Sequence, residues 1–458
     1  MPLISTYASA SNRGYASNSI KNLSYYFNAL NLKGNNAPPN ITNNNFLSIV
    51  NSQLYQYGTS GGSTASNRGY SIGFDNTGAA NSYKIYSDIN YYFVTGMVYD
   101  SLGNQHILQK YYTSFNACEF RLIKYNSTGT VVYAKSYTFA SSGSDNSSFG
   151  MVIDSSDNLY IGSIYANGST SATIAVTKID CSTYTIQWCN IATNLNSNIT
   201  VENSLIKIDN AGNIFVTASD YVYGVSKRVW IYKFISNGSI SWIRRFIYSY
   251  SSSGPVRLAI DSSNNLYVSY NAQIVQINNT GSALSTLSTS PSGGTPDTYD
   301  ADIFVNSSDN LIIARGSSVG LFISSLTTAG ILNSVTQITL SNLYTPTRIV
   351  CDSLYTYVLN EYNNGSMRLT TSILKLSAEG DKPISSNYVS FTQTKDNGSS
   401  YSWSGTLQIS AWTGVASADP APSYDVIIPV SSAFTLSVAN ITQSLGSTTP
   451  DVYNIRLS

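Results

Sequence analysis

Charge is scarce in this chain: 10% of its 458 residues are Asp, Glu, Lys or Arg, where about 25% is ordinary for a globular domain. The 24 basic and 24 acidic residues cancel to a formal net charge of zero, and neither sign forms a block. No nucleic-acid partner bound through bulk charge is expected. Histidine occurs once, as His106, so a serine or cysteine nucleophile would have a single candidate base. The four cysteines, Cys118, Cys181, Cys189 and Cys351, are too few and too scattered for a disulfide scaffold or a zinc site. Reduced, buried thiols are the expectation, with a cross-strand bridge between Cys181 and Cys189 left open. No run approaches the roughly 18 apolar residues of a membrane helix, so no membrane insertion is expected. The opening residues 1 to 10 have neither a basic start nor a long apolar stretch, which argues against a cleaved secretory signal. The Asn-X-Ser/Thr triplets at Asn126, Asn237 and Asn364 then read as turns.

What the chain has is tyrosine, 36 residues of it, with 31 glycines and abundant Ser, Asn and Thr. These are strand and turn formers, and they indicate an all-β fold rather than helices or disorder. One signature recurs six times: two or three apolar residues, Asp or Asn, a short polar turn, then an apolar and aromatic run. Its turn residues are Asp100, Asp154, Asp209, Asp261, Asn306 and Asp352, spaced by 54, 55, 52, 45 and 46 residues. That period fits one four-stranded propeller blade. The turn Asp has a structural role ready at hand, since its carboxylate accepts backbone amides two residues on while the following Asn or Gly takes the left-handed conformation.

A second signature lies 24 residues after each of the first three turns, at Lys124, Lys178 and Lys233, and leads through a polar turn, with Asn and Gly in the first and third copies, to Tyr133, Trp188 and Trp242. It has hairpin chemistry, with weaker copies around Gly281 and Gly380. Two hairpins per unit make four strands, and units that cannot bury their faces alone must stack and close into a ring. Six blades are clear. The expectation is a six- or seven-bladed β-propeller, in which residues 45 to 95 are the candidate for a seventh blade and the stretch 82 to 95 the candidate for the strand that closes the ring.

The flanking regions differ in character. Residues 1 to 60 are Asn-, Ser- and Tyr-rich and are expected to be an extended anchoring segment, followed by the propeller at 61 to 386. Residues 387 to 458 carry five strand candidates, from Tyr388 to Arg456, and read as a small separate β-sandwich-like domain. The element Ala-Ser-Asn-Arg-Gly-Tyr occurs twice, at 10 to 15 and at 65 to 70. Arg13, Gly14, Tyr15, Arg68, Gly69 and Tyr70 are therefore candidate contacts to assembly partners, the arginines donating charge-assisted hydrogen bonds. The alternative is that the two copies are equivalent strand ends in the folded body, since their 55-residue offset matches the blade period.

For catalysis the residues offer little. His106 occupies the place that Tyr160 and Phe215 hold in other units, so it reads as an aromatic-sized blade residue. Glycoside cleavage needs two carboxylates about 5 to 10 Å apart, but the repeated turn accounts for most of the Asp residues. The spacing Asp154-Ser-Ser-Asp157-Asn158 is not a calcium loop, and other copies lose the second carboxylate. No phosphate-cradling glycine loop precedes a helix. The expectation is a chain without enzymatic activity, metal or cofactor.

The turn Asp-x-x-Gly/Asn-Asn-Leu-Tyr-Val, with its Lys-to-Trp hairpin, resembles the bacterial and phage β-propeller repeats of the SBBP and NHL type over residues 95 to 385. The opening Met1-Pro-Leu-Ile-Ser-Thr-Tyr-Ala-Ser-Ala-Ser-Asn-Arg-Gly-Tyr15 resembles the N-termini of tail and fibre proteins of tailed phages. The resemblance implies a structural virion protein, attached to tail or capsid as a homo-oligomer, assembled in the host cytoplasm and released by lysis. Its implied partners are other virion subunits, reached through the N-terminus, and a host-surface glycan or protein. A Tyr-, Ser-, Gly- and Asn-rich surface suits such contact, as it does in antibody paratopes. The rival reading is a bacterial propeller scaffold or a glycan-cleaving enzyme.

Overall fold

A computed structural model describes residues 25–30, most of 46–379, and the segments 407–412, 431–433, 436–440, 444–446 and 451–456. None of the described residues is helical. The first strand is β1 (Tyr25–Leu30). Blade I then holds β2 (Phe46–Val50), β3 (Gln53–Ser60), β4 (Arg68–Phe74) and β5 (Ala80–Ser87). Blade II holds β6 (Tyr92–Tyr99), β7 (Gln105–Ser114), β8 (Ala117–Tyr125) and β9 (Val131–Phe139). Blade III holds β10 (Ser147–Ile153), β11 (Asn158–Ala166), β12 (Ser171–Asp180) and β13 (Ile186–Asn196). Blade IV holds β14 (Leu205–Ile208), β15 (Ile214–Val222), β16 (Ser226–Phe234) and β17 (Ile240–Tyr248). Blade V holds β18 (Arg257–Ile260), β19 (Leu266–Tyr270), β20 (Gln273–Ile277) and β21 (Ala283–Pro291). Blade VI holds β22 (Asp302–Val305), β23 (Asn310–Ser317), β24 (Gly320–Thr327) and β25 (Leu332–Ile338). Blade VII has three strands of its own, β26 (Tyr344–Cys351), β27 (Tyr355–Asn363) and β28 (Leu369–Ser377).

The first strand of each blade is the innermost, and these seven strands neighbour one another in order, with β26 returning to β2. The fold is thus a seven-bladed β-propeller. Its closing strand is β1, which pairs antiparallel with β28 and supplies the fourth strand that blade VII lacks. The stretch 82 to 95 does not close the ring: residues 82–87 belong to β5 of blade I, and 92–95 open β6 of blade II. Those blades already have four strands each, so the vacancy lies in blade VII.

Both flanking expectations are corrected by strand pairing. Residues 46–60 form β2 and β3, so the ring begins well inside the proposed anchoring segment. The C-terminal strands β29 (Leu407–Trp412), β30 (Ser431–Ala433), β31 (Leu436–Asn440), β32 (Ser444–Gly446) and β33 (Asp451–Arg456) form no sheet together. Each is instead a fifth, outer strand on a different blade: V, III, II, I and VII respectively. The physical reason is the sheet edge: a blade ends in a row of unpaired backbone groups, and these short strands pair with that edge on five of the seven blades. The belt visits the blades in the reverse of chain order and ends on β1, so both terminal regions meet on blade VII.

The blade turn forms as its residues dictate. In Asp100 to Asn104, Asp100 Oδ1 accepts the backbone N–H groups of Leu102 and Asn104, and the Asn104 amide donates back to the carboxylate. The fourth position is left-handed and is occupied by Gly103 (φ 76°), Asp157 (61°), Gly212 (77°), Asn264 (62°) and Asp309 (58°), the residue types that tolerate it. The cores lie between blades. Leu108, Phe120 and Leu122 of blade II pack on Met151, Leu159 and Ile161 of blade III, and Tyr160, Ile164 and Val176 pack on Ile206, Ile214 and Val216 of blade IV. Full burial of such a side chain contributes about 1.5 to 3 kcal/mol.

Polar contacts then lock neighbouring blades at the turns. Asp157 accepts the backbone N–H of Ser101 at 2.8 Å and its hydroxyl, and Asp309 accepts the corresponding groups of Ser262. Asn190 donates to the Gly238 carbonyl, Trp242 to the Asn279 carbonyl and Arg244 to that of Gly281. Asn310 and Ser325 donate to Glu379.

Candidate binding site at the propeller axis

The six repeat residues Asp100, Asp154, Asp209, Asp261, Asn306 and Asp352 sit at equivalent turns on blades II to VII, one per blade. Their side chains are consumed by the turn: Asp154, Asp209 and Asp261 each accept a backbone N–H and the amide of the Asn four residues on. Asn306 accepts the Ser308 and Asn310 N–H groups, and Asp352, in a shorter turn, those of Leu354 and Tyr355. Arg68, Gly69 and Tyr70 open β4, where Gly69 and Tyr70 are flanked by β3 and β5. Arg13, Gly14 and Tyr15 lie outside the described residues.

His106 is fully buried, with Nε2 3.2 Å from Asp100 Oδ2, and Lys124 Nζ lies 3.0 Å from the same oxygen. Burial pushes the His106 ring down, which Asp100 only partly offsets. Burial alone would push the Asp100 carboxyl up, but hydrogen bonds from Asn104, Lys124 and His106 outweigh it and hold it far below the carboxylate range. The group has the membership of a catalytic cluster and the surroundings of a core. His106 pairs in register with Lys124, as Tyr160 does with Lys178 and Phe215 with Lys233. In those two blades the lysine ammonium lies 5.3 Å from the aromatic ring, a cation–π contact. The thiols of Cys181 and Cys189 are free and buried, and burial raises them to about 12 and about 11. A reactive thiol needs the opposite environment.

A different set of residues lies on the innermost strands. Two positions before each repeat turn residue stand Val98, Val152, Lys207, Ala259, Phe304 and Val350. All but Ala259 are half-buried, and Val98 and Val152 pack against the cores between blades II and III and between blades III and IV. Lys207 is the exception in charge. Its Nζ lies 5.9 Å from the Phe304 ring although blade V separates the two strands, a contact that can be made only on the inner side of the ring, past the small Ala259.

Four positions before the turn the series reads Gly96, Gly150, Leu205, Arg257, Asp302 and Arg348. This position points at the next blade: a Cβ on Gly96 would lie 3.0 Å from Met151 Cβ, and one on Gly150 would lie 2.9 Å from Ile206 Cγ2. Blades V to VII replace that close packing with charge. Arg257 Nε lies 3.1 Å from Asp302 Oδ1, and Asp302 Oδ2 accepts the Ile349 N–H. The Arg348 guanidinium lies 4.8 Å from the centre of the Phe46 ring. Burial pushes the Lys207 ammonium down; the Asp302 carboxylate acts to raise it and the Arg348 charge to lower it further. Among the described residues, the innermost strands of five blades, IV to VII and I, therefore carry three cations, one carboxylate and two aromatic rings in these contacts.

None of these axial residues was singled out from the sequence. The signal that could have found them is departure from the repeat, because a lysine among valines, or charges where other copies carry glycine, needs a reason the turn does not supply. Among the described residues, no group of three or more His, Cys, Asp or Glu side chains could hold a metal ion.

No family model matches the chain, and no curated protein matches it. Solved structures similar to it include a polysaccharide lyase, 8% identical, at a TM-score of 0.48 with 81% of this chain and 95% of that one covered. A mutant NanB sialidase of Streptococcus pneumoniae is 11% identical, at a TM-score of 0.41 with 78% and 71% covered. A Trypanosoma rangeli sialidase in complex with sialic acid is 10% identical, at 0.42 with 77% and 58% covered. The assignment of seven blades rests on the strand pairing itself.

Proposed function

We propose that this β-propeller is a non-enzymatic structural protein of a tailed-phage virion, attached to tail or capsid, which presents its ring as an attachment module for the host surface. One observation carries the preference for binding over catalysis. The axial set offers recognition groups, cations and aromatic faces, while Asp302, the carboxylate beside them, is held by Arg257 and the Ile349 N–H. An acid committed to an ion pair and a backbone amide is poorly placed to shuttle protons. The opening residues Met1 to Tyr15 and the sparsely charged, Tyr-, Ser- and Asn-rich composition support the virion context. Attachment to other virion subunits falls in this reading to the residues ahead of β1, since β1 itself closes the ring.

Purified protein should bind host cells or their extracted surface polysaccharide and should leave that polysaccharide at its original length. Immunogold labelling should place the protein on the outside of intact particles. Particles without label would remove the virion role, and release of new reducing ends from the polysaccharide would replace the attachment module with an enzyme.

A further inference from the structure

We infer that the axis of the ring binds an acidic sugar, a uronate-type unit whose carboxylate pairs with Lys207 while its ring lies against the neighbouring aromatic side chains. The inference rests on the attachment reading for its biological target, but the site itself stands on separate grounds.

The first ground is Lys207. An ammonium on a half-buried wall has surrendered part of its hydration, and such a group is ordinarily paired or pushed toward its neutral form. Its described contact is the Phe304 face, 5.9 Å away, and a ring quadrupole replaces a counterion only in part. The Asp302 carboxylate, near enough to be felt, is taken up by Arg257 and the Ile349 N–H. The second ground is the sign of the local field. Lys207, Arg257 and Arg348 come from three blades, and among the described residues the carboxylate beside them is Asp302, which is paired to Arg257. Charge of one sign gathered inside low-dielectric walls focuses the potential and favours an anion at the centre. The third ground is shape chemistry. Phe304 and Phe46 flank the cations, and aromatic faces beside a charge suit a ligand that has both an acidic group and an apolar ring face.

The position has no packing reason to be lysine, because Val98, Val152 and Val350 hold it in three other blades. Substituting Lys207→Met is therefore compatible with the fold and removes the charge while keeping the length of the side chain.

Titration calorimetry of the full chain with sodium D-glucuronate, with D-glucose as the uncharged control, tests the site. Glucuronate should bind and glucose should not, with affinity falling as salt is raised from 50 to 500 mM. Lys207→Met should weaken glucuronate by about tenfold or more, the scale of one charge-assisted hydrogen bond. Lys207→Arg should stay within a few-fold, and Lys135→Met on the outer strand β9 should change nothing. Equal binding of the two sugars, or an unaltered Lys207→Met affinity, overturns the site. The salt series on the unsubstituted protein carries the test if the methionine variant fails to fold: binding indifferent to salt overturns it equally. If glucuronate binds as stated while Lys207→Met attaches to host cells as well as the parent does, the site stands and the attachment reading fails at the axis.

Discussion

The blades and the belt around them solve the same problem, unpaired strand edges, by opposite means. Each blade from II to VI is written in the sequence as its own repeat, and its second and third strands hydrogen-bond within a few tens of residues of one another. The belt has no repeat. Its strands of three to six residues, β29 to β33, mean nothing alone and acquire a register only from the edge each one meets. The contrast teaches that local pattern specifies a blade, whereas closure of the ring is specified by vacancy. Blade VII has three strands of its own, so β1 is drawn into the gap, and β33 then covers β1. Long-range closure of this kind costs loop entropy before it returns contacts, so the ring should be cooperative and slow to form.

The sharpest way to break this contrast is to remove residues 1 to 60. A chain starting at Gly61 loses β1 and half of blade I, and we expect the whole unfolding free energy, on the order of 5 to 15 kcal/mol, to be forfeited. The result should be insoluble or without a cooperative melt, read by circular dichroism. Retention of a normal melt would return residues 1 to 60 to a dispensable anchor. Ending the chain at Glu379 is the next test. It strips the belt but leaves every blade at four strands, so the ring should fold, melt several degrees lower and aggregate through its bared edges. An unchanged melting temperature would mean that residues 387 to 458 fold apart from the ring.

Within the repeat the expected effects are smaller and local. Asp261→Ala removes the acceptor for the Asn265 N–H, the Asn265 amide and the Tyr267 hydroxyl, and should cost about 2 to 3 kcal/mol in denaturant unfolding. Two glycines separate packing from backbone strain. Gly150→Ala forces a methyl against Ile206 Cγ2 and should cost about 1 to 3 kcal/mol. Gly103→Ala meets nothing within 4 Å but sits at φ 76°, and should cost about 1 kcal/mol from its left-handed backbone. A reversed order would mean that the inner strands are less tightly apposed than the geometry shows.

How much of this was legible in the sequence divides along the same line. Turns at Asp100 to Asp352 and hairpins at Lys124, Lys178 and Lys233 declared themselves because local chemistry decides them. The closing strand could not be read, because Tyr25 to Leu30 has no blade signature and its place depends on what residues 344–377 lack. The belt was mistaken for a domain for a related reason: alternating strands look alike whether they pair with one another or with a distant edge. At the axis, the repeat drew attention to what its copies share, whereas Lys207, Arg257, Asp302 and Arg348 stand out by what they do not share.

The claim that one ring is sealed by both ends of the chain is tested most directly by a cross-link across the belt. Thr138 on β9 and Ser437 on β31 are register partners, and backbone neighbours at that spacing are within reach of a disulfide. The double variant Thr138→Cys, Ser437→Cys should oxidise to an intramolecular bridge between these two positions, mapped by mass spectrometry of the digested protein, whereas Thr138→Cys with Ser444→Cys should not. Failure of the first pair to join under conditions in which the protein stays folded would contradict the belt and restore a free C-terminal domain.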